Sequence, residues 1–332
     1  MIYLDTHVAA WLYATGRAAV SVSAALALAA CGGTAGTPPD VPPDDVPVVV
    51  APRGTAATFD VGTWNVLWFG DTANGPEDET TQRRRVRDVI KGVDLDLWGL
   101  QEVVGRAAFT SLLAELPGYA GLLADDPSVV DGAAYYSDFG NQEQKVALVY
   151  KTSVVEVQGA RVVLTDKNQD FAGRPPMEVR IRVRLGGSTQ DAVVVVLHAK
   201  ADADADSWER RGRASEALKA YLDATWPTAR VWVIGDFNDD VDTSITVGRA
   251  SPYAAFVADG SRWWFPTSAL SAAGTGSTVR YPDPIDHHLV SDEARTIYVS
   301  GSVEAYRVDA VITGYSSTTS DHFPVLARYR IP

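Results

Sequence analysis

The chain has 332 residues, 46% of them hydrophobic, with 9 Trp and 13 Tyr. That composition excludes a globally disordered chain and leaves room for one large domain or two ordinary ones. A single Cys excludes an intramolecular disulfide framework and a multi-cysteine zinc site. A net charge of −13, from 29 Lys plus Arg against 42 Asp plus Glu, weighs against tight non-specific binding to a polyanion.

In chain order, residues 1–16 carry Asp5 and His7 and fit an export signal poorly. They look like the opening strand of a PIN-type ribonuclease, but no partner acids lie nearby, and they read as an extension from a start codon placed too early. Arg17 then precedes an uncharged run of small and apolar residues, Ala18 to Ala30. It is shorter than the roughly 20 residues a membrane span needs and fits the apolar region of a signal peptide. The run ends Leu28-Ala29-Ala30-Cys31-Gly32, which resembles the lipobox of bacterial lipoproteins and implies lipidation of Cys31. Residues 1–31 are therefore expected to be a signal segment. Residues 32–57, with Pro38, Pro39, Pro42, Pro43 and Pro47 among Asp and Val, are expected to form an extended tether. The domain is expected over 58–332. This arrangement predicts an exported monomer, lipid-anchored to the bacterial cell envelope at the outer membrane or cell surface.

Within the domain, β-branched and aromatic runs bounded by turn residues predict nine strands. They are Phe59–Trp64, Asp96–Gln101, Lys145–Tyr150, Met177–Leu185, Asp191–His198, Arg230–Asp236, Ile285–Ser291, Tyr306–Ile312 and Phe323–Tyr329. Met177–Leu185 alternates apolar residues with Arg180, Arg182 and Arg184, as a strand with one buried face does. Val193–Leu197 is continuously apolar, as in a strand covered on both faces. Helices are predicted over Glu79–Lys91, Arg106–Leu116 and Ser207–Ala224, the last capped by Asp206 with Glu209 reaching back. Strands and helices mix without regular alternation, which points to an α/β (α+β) domain with a sheet-rich core.

Polar residues gather at the ends of these strands, where a rigid element can aim a side chain into a cleft. Asp236 and Asn238, two apart, point to one side of an extended segment. Oxygen donors of this kind suit a hard divalent ion, Mg²⁺ first, with Mn²⁺ or Ca²⁺ as alternatives. His198 and His322 can move protons near neutral pH. Metal, imidazoles and an amide donor together suit phosphoryl chemistry.

Trp64-Asn65, Gln101-Glu102, His198, Gly235-Asp236-Phe237-Asn238, Ile285-Asp286-His287 and Ser320-Asp321-His322 occur in this order. The set resembles the endonuclease/exonuclease/phosphatase superfamily with the DNase I-like fold, from about Phe59 to the C-terminus. The resemblance implies a four-layer sandwich of two packed mixed β-sheets flanked by helices, and metal-dependent phosphoester hydrolysis. It implies Glu102 as main metal ligand, with Asn65 and Asp321 close to the ion. It also implies Asp236 acting on the attacking water, Asn238 holding a phosphate oxygen, and His322 paired with Asp286 as general base or acid. His198 would hydrogen-bond the phosphate or protonate the leaving oxygen, as in the DNase I and sphingomyelinase branches.

One departure concerns the acid that orients the first histidine in DNase I. Here Gln142 and Gln144 lie near the matching strand, and Asp202 is an alternative orienting group. Arg174 can grip a phosphate or stay in a solvated loop. The aromatic run Trp263-Trp264-Phe265 is expected to pack as a strand, Asp202, Asp204 and Asp206 to be a solvated acidic loop, and Arg83, Arg84, Arg85 and Arg87 to be the wet face of a helix. A DNase I-like nuclease acting on nucleic acid is the leading expectation. A phospholipid or small-molecule phosphodiesterase or phosphatase is the alternative, and a non-catalytic binding lipoprotein is the third reading.

Overall fold

The computed structural model describes residues 47–132 and 143–332. The readings made on the signal-like run, Cys31, Gln142 and the tether up to residue 46 lie outside these residues.

Two mixed sheets form the core. The first has the order β12 (Glu304–Ala305), β13 (Val325–Tyr329), β1 (Phe59–Phe69), β2 (Leu97–Val103), β5 (Lys145–Lys151) and β3 (Tyr119–Leu123). The second has the order β10 (Trp263–Trp264), β11 (Asp286–Ser291), β9 (Val231–Asp236), β8 (Ser188–His198), β7 (Met177–Leu185), β6 (Val155–Val162) and β4 (Val129–Val130). Phe59, Val61, Leu97, Val146 and Leu148 of the first sheet share one buried cluster with Val179, Ile181, Val194, Val196, Trp232 and Ile234 of the second. Alternate residues of the same strands point outward. Trp64, Val66, Trp98 and Leu100 pack against α1 (Glu79–Val93) and α2 (Arg106–Ala114). Val193, Val195 and Leu197 pack against α3 (Ala205–Thr225). The result is the four-layer α/β sandwich that the resemblance implied. Short helices α4 (Ala254–Ala258), α5 (Ser268–Ala272), α6 (Asp292–Arg295) and α7 (Tyr315–Thr318) close the connections. No helix of the described residues is long and apolar enough to cross a membrane.

Three local expectations are corrected. Tyr306–Ile312 is not a strand: Val308–Ala310 is a 3-10 turn, and Tyr306, Val308 and Ile312 are buried against the α1 side. An every-second-residue apolar pattern there reports burial of an irregular segment. The cap of α3 is Asp204, whose carboxylate accepts from the Ser207 N–H, and the helix begins before Asp206. Four further strands, β3, β4, β6 and β12, were not predicted as elements; β4 and β12 have only two residues, below the reach of a periodicity argument, while the expected aromatic strand appears as β10. Residues 47–57, read as the end of the tether, lie on the domain. Val50 is buried in the core, and Arg53 pairs with Glu304 at 2.8 Å and covers the Tyr306 ring.

Candidate active site

The parallel pairs β1/β2 and β8/β9 bring four C-terminal strand ends to one edge of the sandwich. Asn65 and Glu102 come from the first sheet, His198 and Asp236 from the second. In the second sheet His198, Asp236 and Asp286 are direct neighbours across the ladder, because His198 pairs with Asp236 and Asp236 with Asp286. His322 arrives from the turn before β13. Gly235 makes this packing feasible: a Cβ there would lie 1.9 Å from the Leu197 carbonyl oxygen.

Asn65 holds the two sheets' acids together. Its Nδ2 donates to Glu102 Oε1 and to Asp236 Oδ2, each at 3.0 Å, while its Oδ1 accepts from the Leu67 N–H. Glu102 Oε2 accepts from the Trp68 N–H at 3.0 Å. Glu102 follows a register shift between β1 and β2 and has φ of 60°, a bulge-like geometry that re-aims a side chain. Trp68, Asp202 and Asn238, which line the same cleft, also have positive φ. Strained backbone of this kind concentrates at functional sites.

His322 Nδ1 lies 2.8 Å from Asp286 Oδ2, which also accepts from Ser277 Oγ at 2.6 Å. Its Nε2 faces Asp236 Oδ2 at 3.9 Å. Burial opposes a charge on this ring, but the Asp286 and Asp236 carboxylates outweigh it and hold the imidazole well above its usual value. Asp236 is raised as well, but here burial is the cause: desolvation first, then the Asp286 charge, push its carboxyl up to about 7. Burial also raises Glu102, against the pull of Asn65, His322 and the Trp68 N–H.

His198 is buried, with Nε2 at 3.7 Å from Asp236 Oδ2 and 3.8 Å from Glu102 Oε1. Its Nδ1 has no hydrogen-bond partner among the described residues. Gln144 does not orient it, since Gln144 Oε1 accepts from Arg174 Nη1. Asp202 does not either, because its exposed carboxylate pairs with Lys200 Nζ at 2.8 Å. Desolvation, then the Arg174 and His322 charges, hold His198 well below its usual value, so the ring is neutral.

Arg174 is buried in the cleft wall and not in a solvated loop. Its Nη2 and Asn238 Nδ2 share the Ala199 carbonyl, at 2.9 and 3.1 Å. The cleft encloses about 500 Å³, with Glu102, Arg174, His198, Asp236, Asn238 and His322 on its walls and Trp68, Lys200, Tyr281 and Asp283 among the other lining residues. The structure thus brings together every expected site residue from 65 to 322 except Asp321. Asp321 is half-buried and does not line the cleft; its carbonyl accepts from the Val279 N–H. Sequence reasoning missed Ser277, which holds Asp286, because a lone serine in a loop carries no motif signal.

The donor set fits a divalent cation. Glu102, Asp236 and Asp286 are three carboxylates taken out of water, against His322 and Arg174 as the positive groups acting on them, and hard oxygen donors suit Mg²⁺, Mn²⁺ or Ca²⁺. Ligand atoms of Asp236, Asp286 and His322 converge within 4.8 Å. His322 and Asp286 are already engaged with each other, whereas Glu102, held by Asn65 and the Trp68 N–H, still has carboxylate lone pairs to offer an ion.

Residues 62–322 match the Endonuclease/Exonuclease/phosphatase family, and the chain belongs to it. Three solved structures are similar in fold. The human Nocturnin catalytic domain with bound sulfate is 19% identical, with 83% of this chain and 95% of that chain covered and a TM-score of 0.56. A mannosyl-6-phosphatase from Bacteroides thetaiotaomicron is 17% identical over 81% and 98%, with a TM-score of 0.53. Danio rerio TDP2 in complex with single-strand DNA product is 12% identical over 82% and 99%, with a TM-score of 0.55. No curated protein matches the sequence. The chain is a phosphoester hydrolase of a family that is generally divalent-metal dependent.

Proposed function

We propose that this family member is a divalent-metal-dependent phosphodiester hydrolase, working through Glu102, Asp236, Asn238, Asp286, His198 and His322. The observation that carries the reading is a buried pair 3.9 Å apart, an imidazole kept charged and a carboxyl whose value is also raised, to about 7. Such pairs separate acid and base roles. Asp236 takes the proton of the attacking water. The His322 imidazolium, held by Asp286, gives charge or a proton to the phosphoryl group. Neutral His198 donates a hydrogen bond, and Asn238 and Arg174 grip phosphate oxygens. Glu102 holds the divalent ion, Mg²⁺ first, with Asn65 steering its carboxylate. When bound, the ion neutralises charge on a phosphoryl oxygen.

Nucleic acid remains the substrate that the sequence suggested, and TDP2 and Nocturnin are comparable in fold. One observation favours a compact phosphoester instead. Besides the His322 imidazolium, the cleft's Lys and Arg are Arg174 and Lys200, the latter paired with Asp202, and Asp202 and Asp283 stand among the lining residues. A polyanion wants a run of free Lys and Arg. Hydrolysis of an oligonucleotide, a phospholipid headgroup ester and a sugar phosphate by purified protein with Mg²⁺ separates the readings. Preference for the oligonucleotide would overturn the compact-substrate choice. We also propose an exported monomer anchored through Cys31 at the bacterial envelope; membrane fractionation of the protein and of Cys31→Ala tests this, and equal membrane retention would contradict it.

A further inference from the structure

Arg211 and Asp239 form an ion pair with both side chains fully inaccessible, at 2.8 Å. Burying an ion pair is weak support for stability, since desolvation offsets much of the attraction. What the pair touches is more informative. Arg211 stands on α3. Its Nη1 donates to the carbonyls of Lys200 and Asp202, at 2.8 and 2.7 Å. These belong to the loop that follows His198. Its Nε donates to Asp239 Oδ2 at 3.0 Å, and its Nη2 lies 3.3 Å from Thr246 Oγ1. Asp239 in turn accepts from the Ile245 N–H and from Ser244 Oγ, both at 2.8 Å. These belong to the loop that follows Asp236 and Asn238. Lys200, Ala201, Asp202 and Ala203 of one loop, and Asn238 and Ile245 of the other, line the cleft.

We propose that Arg211 and Asp239 are positioning residues that lock the two cleft-lining loops to each other and to α3. The inference rests on the reading of the cleft as the hydrolytic site. Neither group reaches a substrate, so the pair acts through the geometry of Asn238 and the His198 loop. A planar guanidinium with several donors in fixed directions can hold two carbonyls and a carboxylate at once, which a lysine ammonium cannot.

The test compares the full chain with Arg211→Lys and, because a buried arginine can be needed for folding, with the isosteric Asp239→Asn. Three quantities are read: turnover of bis(4-nitrophenyl) phosphate with Mg²⁺, tryptic cleavage after Lys200 mapped by mass, and hydrogen exchange at the Ile245 and Thr246 amides. The expected result is a kcat at least tenfold lower with KM within about twofold. Cleavage after Lys200 and exchange at Ile245 are both expected to rise at least tenfold. Opening of one loop alone, of neither, or of both without loss of kcat overturns the proposal. If the wild-type chain hydrolyses nothing, the functional reading fails, and the two loop measurements still decide whether the clamp exists.

Discussion

Asp236 combines function with a cost in stability. Its carboxyl, 3.8 in the unfolded chain, is raised to about 7 by burial and by Asp286. A raised folded value means that the folded form holds the proton more tightly. The stability from this group is present below pH 3.8 and lost as pH rises through about 7. In metal-free protein at pH 8, Asp236→Asn is therefore expected to have a higher thermal midpoint than the wild type. It is also expected to lose about 10²–10⁴-fold in kcat, the usual weight of a general base. A lower midpoint would contradict the assignment of a carboxylate whose burial costs more than its partners return. His322 follows the same sign. Its raised value contributes stability below its usual 6.5 that is lost as pH climbs through the folded value. Removing the Asp286 charge lowers that value, so Asp286→Asn should move the alkaline limb of the rate profile to lower pH. An unmoved limb would remove His322 from the acid role. Glu102→Gln should weaken Mg²⁺ binding at least tenfold by calorimetry, and unchanged affinity would place the ion elsewhere.

At the scale of elements, the motif residues were legible because they end long apolar strands. Val193–Leu197 runs into His198 and Val231–Ile234 into Gly235-Asp236, and the ladder sets the two side by side. The glycine of that motif has a physical reason, since a Cβ at 235 would strike the Leu197 backbone. Gly235→Ala should destabilise by about 1–3 kcal/mol, the usual cost of overpacking, and lower kcat by displacing Asp236; urea unfolding and turnover measure both. Asp78 caps α1 through the Thr81 N–H, and Asp78→Ala should cost about 1 kcal/mol without touching the cleft. Tyr306–Ile312 was misread because buried loop residues imitate strand alternation. The pairing of Arg174 with Gln144 in the wall beside His198 was not legible, because the two meet only through the fold, 30 residues apart.

For the molecule as a whole, strand patterning gave a sheet-rich α/β core, while the two-sheet sandwich came with the family resemblance that the chain order of the motifs carried. The charge did not predict the site. Part of what composition counts as excess acid is placed in one cleft, where a cation would offset it. The most direct test of the account measures phosphodiester turnover by the purified chain, using an oligonucleotide, a headgroup ester and bis(4-nitrophenyl) phosphate. Wild type, Asp236→Asn and Glu102→Gln are compared, each with chelator and then with Mg²⁺ or Mn²⁺ restored. The account predicts turnover in the wild type that chelator abolishes and metal restores, and that neither variant recovers. Turnover that survives chelation, or that either variant retains at the wild-type rate, would contradict it.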